Sequence, residues 1–269
     1  MSLPDELLAL AVETAREAGR MLVDKRPAGG PDVVQTKSSP TDVVTQMDRA
    51  AEALIIERIR AARPDDAFLG EEGGTRAGGS GVRWVVDPID GTVNYLYDLP
   101  DWAVSIAAEV DGTAVAGAVE MPRRGETYTA ARGGGALLHA AGGTRELRVN
   151  ARVPLASALV ATGFGYAADR RATQAQVLTG VLPNVRDIRR GGTCCVDLCS
   201  VAAGRLDAYY ERGVQAWDIA AGALIVQEAG GRVEGLHGAA PGSELTIAAG
   251  EGTFEALHDL LAPLDPLRD

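Results

Sequence analysis

Carboxylates close three separate apolar runs in this chain. Glu71 and Glu72 follow AFLG, Asp87 and Asp90 follow VRWVV, and Asp218 follows Trp217 at the head of IAAGALIV. Strand ends and helix starts are where a rigid scaffold aims side chains into a shared crevice. Within DPIDGT (87–92), Pro88 fixes its own φ and disfavours a helical Asp87. Asp87 and Asp90 are therefore expected to converge across a tight turn, with the Ile89 carbonyl exposed between them. Two carboxylates and a carbonyl are hard oxygen donors of the kind Mg²⁺ prefers. Crowded like charges raise one another's pKa, a cost that a divalent cation removes. Gly91 permits close backbone approach, and Thr92 adds a hydroxyl where N–H groups could face an anion. Each feature alone has a plainer account: an Asp-rich turn capping a helix, a solvated Glu-Glu loop, a first-turn acid. Their combination is what points to metal-assisted chemistry on an anion.

The elements that would position these groups follow from periodicity. Leu7, Leu8, Ala11, Ala15, Ala18 and Leu22 have helical spacing, and Met47, Ala51, Leu54, Ile55 and Ile59 mark a second helix that ends before Pro64. AFLG is a short strand. RWVVD, AVSIAAEV, AVAGAVEM and ETYTAA read as strands up to about Leu138, with a hairpin at Asp111-Gly112. Beyond these, helices are expected over 170–181, 194–203 and 217–228 and near the C-terminal end, with strands at VRDIRR, DAYYE, Arg232 and Leu245. Helices alternating with blocks of strands predict a mixed α/β (α+β) protein built in layers. The chain is expected to form one domain over 1–269, in two halves dividing near 150 with an active-site cleft between them.

Composition narrows the function. The apolar fraction of 46% supports a substantial core, and aromatics at 4% leave that core to Ala, Val, Leu and Ile. A net charge of −11 argues against a nucleic-acid surface. The acidic, amphipathic start lacks the basic, continuously apolar character of a signal peptide, and no run reaches the roughly 18 apolar residues of a membrane span. Cys194, Cys195 and Cys199 form a poor disulfide framework, which suggests a reducing cytoplasm. With His139, His237 and His258 far away in sequence, small buried residues are a better account of these thiols than a zinc site.

The stretches KSSPTDVVTQMD (37–48), GEEGG (70–74), DPIDGTVNYLYDLP (87–100), GTCCVDLC (192–199) and WDIAAGALIVQEAGG (217–231) span most of the chain. Through them the sequence resembles the inositol monophosphatase family of Mg²⁺-dependent, lithium-sensitive phosphatases. GTVNY, DAYYERG and AWDIAAGALI make it most similar to the bacterial inositol-1-monophosphatase branch. The resemblance implies the α/β/α/β/α sandwich shared with fructose-bisphosphatases, a homodimer, and two to three Mg²⁺ per site. It implies Glu71, Asp87 and the Ile89 carbonyl as ligands of the first ion, Asp87, Asp90 and Asp218 of the second, and Glu71 as an aid to a third. Thr92, oriented by Asp48, would position the attacking water, and the Gly91 and Thr92 amides would receive the phosphate. Gly192, Thr193, Cys194, Glu211 and Asp218 would meet the polyol, with Lys37 near the phosphate entrance. The implied reaction is hydrolysis of myo-inositol monophosphate by direct attack of a metal-activated water.

Several positions leave the alcohol open. Cys194 and Cys195 stand where the family often has alanine, and packing is the expectation for both. Gln215 could touch substrate or lie on a surface loop. Arg189 and Arg190 could favour a second phosphate, although pairing with acids is the expected arrangement. Histidinol phosphate, fructose 1,6-bisphosphate and nucleotide 3′-phosphates lie within reach of the same chemistry. A binding protein that kept the fold but lost the chemistry would not need all of Asp48, Glu71, Asp87, Asp90, Thr92 and Asp218.

Overall fold

The computed structural model describes residues 2–37 and 43–268. Residues 38–42 of the KSSPTDVVTQMD motif therefore lie outside the described residues. The chain begins with α1 (Leu3–Asp24), β1 (Val33–Thr36), β2 (Val43–Thr45), α2 (Gln46–Ala62), β3 (Ala67–Gly70), β4 (Gly74–Arg76), β5 (Val82–Asp90) and the short α3 (Thr92–Leu96). A meander follows: β6 (Ala103–Val110), β7 (Thr113–Met121), β8 (Glu126–Ala131), β9 (Gly135–Ala140) and β10 (Gly143–Glu146). The remainder is β11 (Leu159–Thr162), α4 (Ala168–Val181), β12 (Asp187–Arg189), α5 (Cys194–Ala202), β13 (Ala208–Glu211), α6 (Ala216–Glu228), β14 (Arg232–Glu234), β15 (Thr246–Ala249) and α7 (Glu251–Leu261).

Two sheets carry the architecture, one of eight strands in the order β10-β9-β8-β7-β6-β5-β3-β4 and one of five in the order β12-β11-β13-β15-β14. Alternation along β5 explains how they stack. Trp84 and Val86 point into a core with Leu7, Ala11, Ile55 and Ile59 of α1 and α2. Val85 points the other way, into a core with Leu198, Leu224 and Ile225 of α5 and α6 and with Tyr209 and Ala248 of the second sheet. A third core joins Val160 and Ile247 to Val177 of α4 and Phe254 and Leu257 of α7. The layers thus run α1/α2, eight-stranded sheet, α5/α6, five-stranded sheet, α4/α7, the α/β/α/β/α order that the family resemblance implies. α5 and α6 face a sheet on both sides, so α6 carries apolar residues almost all round, from Ile219 to Val226.

The DPID segment departs from expectation. It is the bulged end of β5, not a tight turn: β5 continues to Asp90, and its register against β6 shifts between Asp87 and Asp90. Pro88 has no N–H to donate, so a bulge is where an antiparallel pair tolerates it. The Asp87 Oδ1 accepts the Ile89 N–H at 2.9 Å, closing the bulge locally. β1, β2, β4, β10 and β11, which periodicity did not indicate, are three or four residues long. Pairing partners rather than local pattern define such strands.

Candidate active site

Asp90, Gly91 and Thr92 mark the change from β5 to α3. Gly91 has φ 91°, and a Cβ there would lie 3.1 Å from the Asp101 carbonyl and 3.2 Å from the Thr193 Cβ, so only glycine fits. Thr92 Oγ1 has two acceptors, Asp48 Oδ1 at 3.2 Å and the Ile89 carbonyl at 3.1 Å. Asp48 is the third residue of α2 and reciprocates with Thr45 in a capping box, taking the Thr45 N–H at 2.8 Å and its hydroxyl. Burial pushes the Asp48 carboxyl up to about 6, against the Thr45 bonds and with help from Glu71 and Glu72.

Glu71 and Glu72 project from the loop between β3 and β4. Lys37 Nζ donates to Glu71 at 2.8 Å and to Glu72 at 2.6 Å. Burial opposes the Lys37 charge, yet the two glutamates hold its ammonium protonated above the usual range. Asp218, the third residue of α6, accepts the Gln215 N–H at 2.6 Å. Gln215 is thus the N-cap of α6 as well as part of the cleft wall. Asp87 is raised well above its ordinary value by burial first, then by Glu71, Asp90 and Asp218. Asp218 is raised in the same way by burial and then by Asp90 and Glu71, against the Gln215 bond.

The opposite wall comes from the second sheet. Thr193 caps α5, whose first residue, Cys194, lines the cleft while only 5% exposed. Glu211 ends β13 and accepts the Tyr209 hydroxyl at 2.9 Å. A Cβ on Gly163 would fall 2.0 Å from this carboxylate, so the glycine makes room for it. Glu211 is half-buried and lines the cleft. Burial lifts it to about 7, with Tyr209 opposing, Asp90 adding and Arg190 opposing. Burial also pushes the Cys194 thiol far up, which suits a packing role rather than a nucleophile.

Every site residue expected from the sequence except Asp48, which stands behind Thr92, lines one cleft of about 620 Å³, whereas Glu72 lies outside its lining. A depression of about 530 Å³ at Arg152, Leu155 and Glu251 holds none of them. Two supporting residues were not foreseen. Glu52 is four positions after Asp48 on α2 and takes the Glu72 N–H at 2.9 Å. The i, i+4 spacing is the sequence signal that could have found it. Asn94, inside GTVNY, donates to the Asp101 carbonyl at 2.6 Å and to the Gly191 carbonyl at 2.9 Å, tying α3 to the loop before α5. Of the paired arginines, Arg189 bonds Asp187 at 2.6 Å, whereas Arg190 enters the cleft.

Among the described residues, no group of three or more His, Cys, Asp or Glu side chains is gathered closely enough to hold a metal ion. The donor chemistry nevertheless fits one. Glu71, Asp87, Asp90 and Asp218 are acceptor-only oxygens gathered with a main-chain carbonyl, and the Lys37 ammonium on Glu71 shows the demand for positive charge.

A five-layer sandwich with buried carboxylates at a strand end, facing the N-terminus of a helix, is the architecture of a metal-dependent phosphoric monoester hydrolase. The chain belongs to the inositol monophosphatase family, whose model matches residues 3–264. It is 46% identical to the inositol-1-monophosphatase of Mycobacterium leprae, over 94% of this chain and 92% of the relative. It is 40% identical to the Nus factor SuhB of Pasteurella multocida, over 94% of this chain and 95% of the relative. The solved structure of Mycobacterium tuberculosis SuhB superposes with a TM-score of 0.84 at 43% identity, covering 98% of this chain and 99% of that one.

Proposed function

We propose that the protein hydrolyses myo-inositol monophosphate to inositol and inorganic phosphate, with two to three Mg²⁺ held by Glu71, Asp87, the Ile89 carbonyl, Asp90 and Asp218. The observation that carries this reading is the single cleft shared by these oxygens, the Gly91–Thr92 backbone and Glu211. When bound, Mg²⁺ offsets the phosphate charge, makes water more acidic and stabilises the departing alkoxide. The chain's own residues supply orientation. Thr92 directs its proton to Asp48 or to the Ile89 carbonyl, which leaves its lone pairs free to accept a hydrogen bond from a water in line with phosphorus. The new P–O bond forms from that water as the bond to the alcohol oxygen breaks; the water's proton passes to Thr92 Oγ1 as the Thr92 proton passes to ionised Asp48, and the departing alcohol oxygen takes a proton from solvent, giving inositol. The backbone at Gly91 and Thr92 receives phosphate oxygens, Lys37 adds a cation near the entrance, and Gly192, Thr193 and Cys194 shape the polyol side. Ionised Glu211 accepts hydroxyl hydrogen bonds from the polyol. The three buried free thiols suit a reducing, cytoplasmic setting, and a homodimer belongs to the same reading.

The test is phosphate release, with and without Mg²⁺, from inositol 1-phosphate, histidinol phosphate, fructose 1,6-bisphosphate and a nucleotide 3′-phosphate. Mg²⁺-dependent, lithium-inhibited release from inositol 1-phosphate is expected. Absence of Mg²⁺-stimulated release from every one of them would sink the reading.

A further inference from the structure

Helix α4 buries Gln174, Val177 and Val181, so a polar amide stands where an apolar side chain would pack. Val177 and Val181 join the core between α4 and the five-stranded sheet. Gln174, one turn earlier on the same face, is buried and spends its amide on main chain. Its Oε1 accepts the Gly165 N–H at 2.8 Å. Its Nε2 donates to the Arg212 carbonyl at 3.2 Å and, at a longer 3.5 Å, to the Gly163 carbonyl. A buried amide satisfied in this way is fixed by the backbone it holds, and fixes that backbone in turn.

These backbone groups lie where two parallel strands part. β11 and β13 pair as far as Thr162 and Tyr210. Beyond that pair one chain turns toward α4 and the other runs toward the start of α6, so the ladder ends. Parallel strands that separate at their carboxyl ends leave peptide groups without strand partners and open a crevice between them. Gln174 supplies the missing partners from the side. The next residues past the last pair are Gly163 on one strand and Glu211 on the other. A Cβ on Gly163 would fall 2.0 Å from the Glu211 carboxylate, so that carboxylate lies directly on the Gly163 backbone. Glu211 is thus set between Gly163 and Arg212, and Gln174 grips both. Arg170, one turn before Gln174 on α4, lines the cleft, and a Cβ on Gly165 would lie 2.9 Å from its Cδ.

We propose that Gln174 is a positioning residue for the alcohol half of the substrate. By holding Gly163, Gly165 and Arg212 together it fixes where Glu211 stands in the cleft, and so sets the preference for a polyol phosphate over esters whose alcohol carries no further hydroxyl. The inference rests on the phosphatase reading of the cleft, with Glu211 as the polyol's acceptor. Gln174 reaches the reaction only through Glu211. Loss of its amide leaves two carbonyls and an N–H short of partners in a buried place, which the two segments relieve by moving apart. Asp87 and Asp90 stand on the eight-stranded sheet and Glu71 on its loop, so the grip on phosphate should outlast that movement.

The experiment compares inositol 1-phosphate with p-nitrophenyl phosphate, whose leaving group offers Glu211 no hydroxyl, at a pH where Glu211 is ionised. Gln174→Met keeps the length of the side chain and removes the amide. Gln174→Ser is the second variant, short enough to admit water to the freed backbone groups and so to fold without the tether. In both, the ratio of kcat/KM for inositol 1-phosphate to that for p-nitrophenyl phosphate should fall about tenfold, the scale of one hydrogen bond to a charged group, and chiefly through KM. Mg²⁺ affinity measured by calorimetry should not follow. In a Glu211→Gln background the same substitutions should bring no further fall in the ratio, because the two residues act as one unit. An unchanged ratio in either variant, or a fall that adds in full to that of Glu211→Gln, overturns the proposal. So does an equal loss on both substrates with weakened Mg²⁺ binding, since Gln174 would then serve only the fold. If the wild-type protein hydrolyses neither compound, the phosphatase reading falls by itself. Calorimetric affinity for inositol 1-phosphate then decides the inference: a drop of about tenfold in Gln174→Met supports it, and an unaltered affinity overturns it.

Discussion

Asp90 Oδ2 accepts the Cys195 N–H at 2.6 Å, joining the end of β5 in the first sheet to the start of α5 beneath the second. Thr193 Oγ1 donates to the same oxygen at 2.7 Å. One carboxylate therefore closes the start of α5 with one oxygen and offers the other to the cleft. Asp90→Asn should lower hydrolysis by about 10²–10³-fold, the range for removing one charged group from a preorganised site. Because the donors at α5 lose an ionised acceptor, stability should also fall by about 1–2 kcal/mol. Phosphate-release assays and denaturant titration read the two effects separately. Undiminished activity in Asp90→Asn would remove Asp90 from the mechanism.

Thr92 has one proton and two acceptors, so its hydroxyl should matter more than its methyl group. Thr92→Ser should retain activity within about tenfold, and Thr92→Val should lose roughly 10²–10⁴-fold, the scale of a positioned proton-transfer group. KM should move little in either variant. Equal losses in the two variants would point to packing instead.

Glu52 supports the loop that presents Glu71. A Cβ on Gly70 would meet the Glu52 carboxylate at 2.5 Å, and one on Gly73 would meet it at 2.6 Å. Gly70→Ala should therefore displace either the loop or Glu52, costing about 1–3 kcal/mol as an overpacked site does. Glu52→Gln puts an amide NH₂ where two backbone N–H groups now donate, and it should weaken Mg²⁺ binding measured by calorimetry. Unchanged Mg²⁺ affinity in both variants would separate this loop from the cation site.

Glu211 gives a pH prediction with a definite sign. Its ordinary value of 4.5 is raised to about 7 by burial. Between these values the folded protein holds a proton that the unfolded chain has released, so stability declines as pH rises across that window. Above about 7 both states are ionised and the loss levels off. Glu211→Gln should flatten that decline and leave the variant more stable than wild type at pH 8, as read by urea denaturation. It should also raise KM for inositol 1-phosphate above pH 7, where the ionised acceptor is lost.

Much of this site was legible along the chain. Asp87, Asp90, Gly91 and Thr92 are consecutive or nearly so, and the amphipathic spacing of α1 and α2 announced which faces they bury. The meander strands ETYTAA and AVSIAAEV matched β8 and β6 residue for residue, because apolar runs bounded by turn residues fix strand limits locally. The bulge at DPID was not legible, since a proline in a tight turn looks the same in sequence as one tolerated at a bulge. Which oxygens meet Cys195, whether Lys37 reaches Glu71, and that Arg190 turns inward while Arg189 bonds Asp187 depend on packing across distant segments. Local residue order was enough to set the donor types, the helix starts and the glycines that bring them close. That residues from both sheets share one cleft came from packing in three dimensions, because α5 and α6 must bury apolar faces against both sheets at once. That packing brings Glu211, Arg170 and Arg190 to the side of the carboxylates.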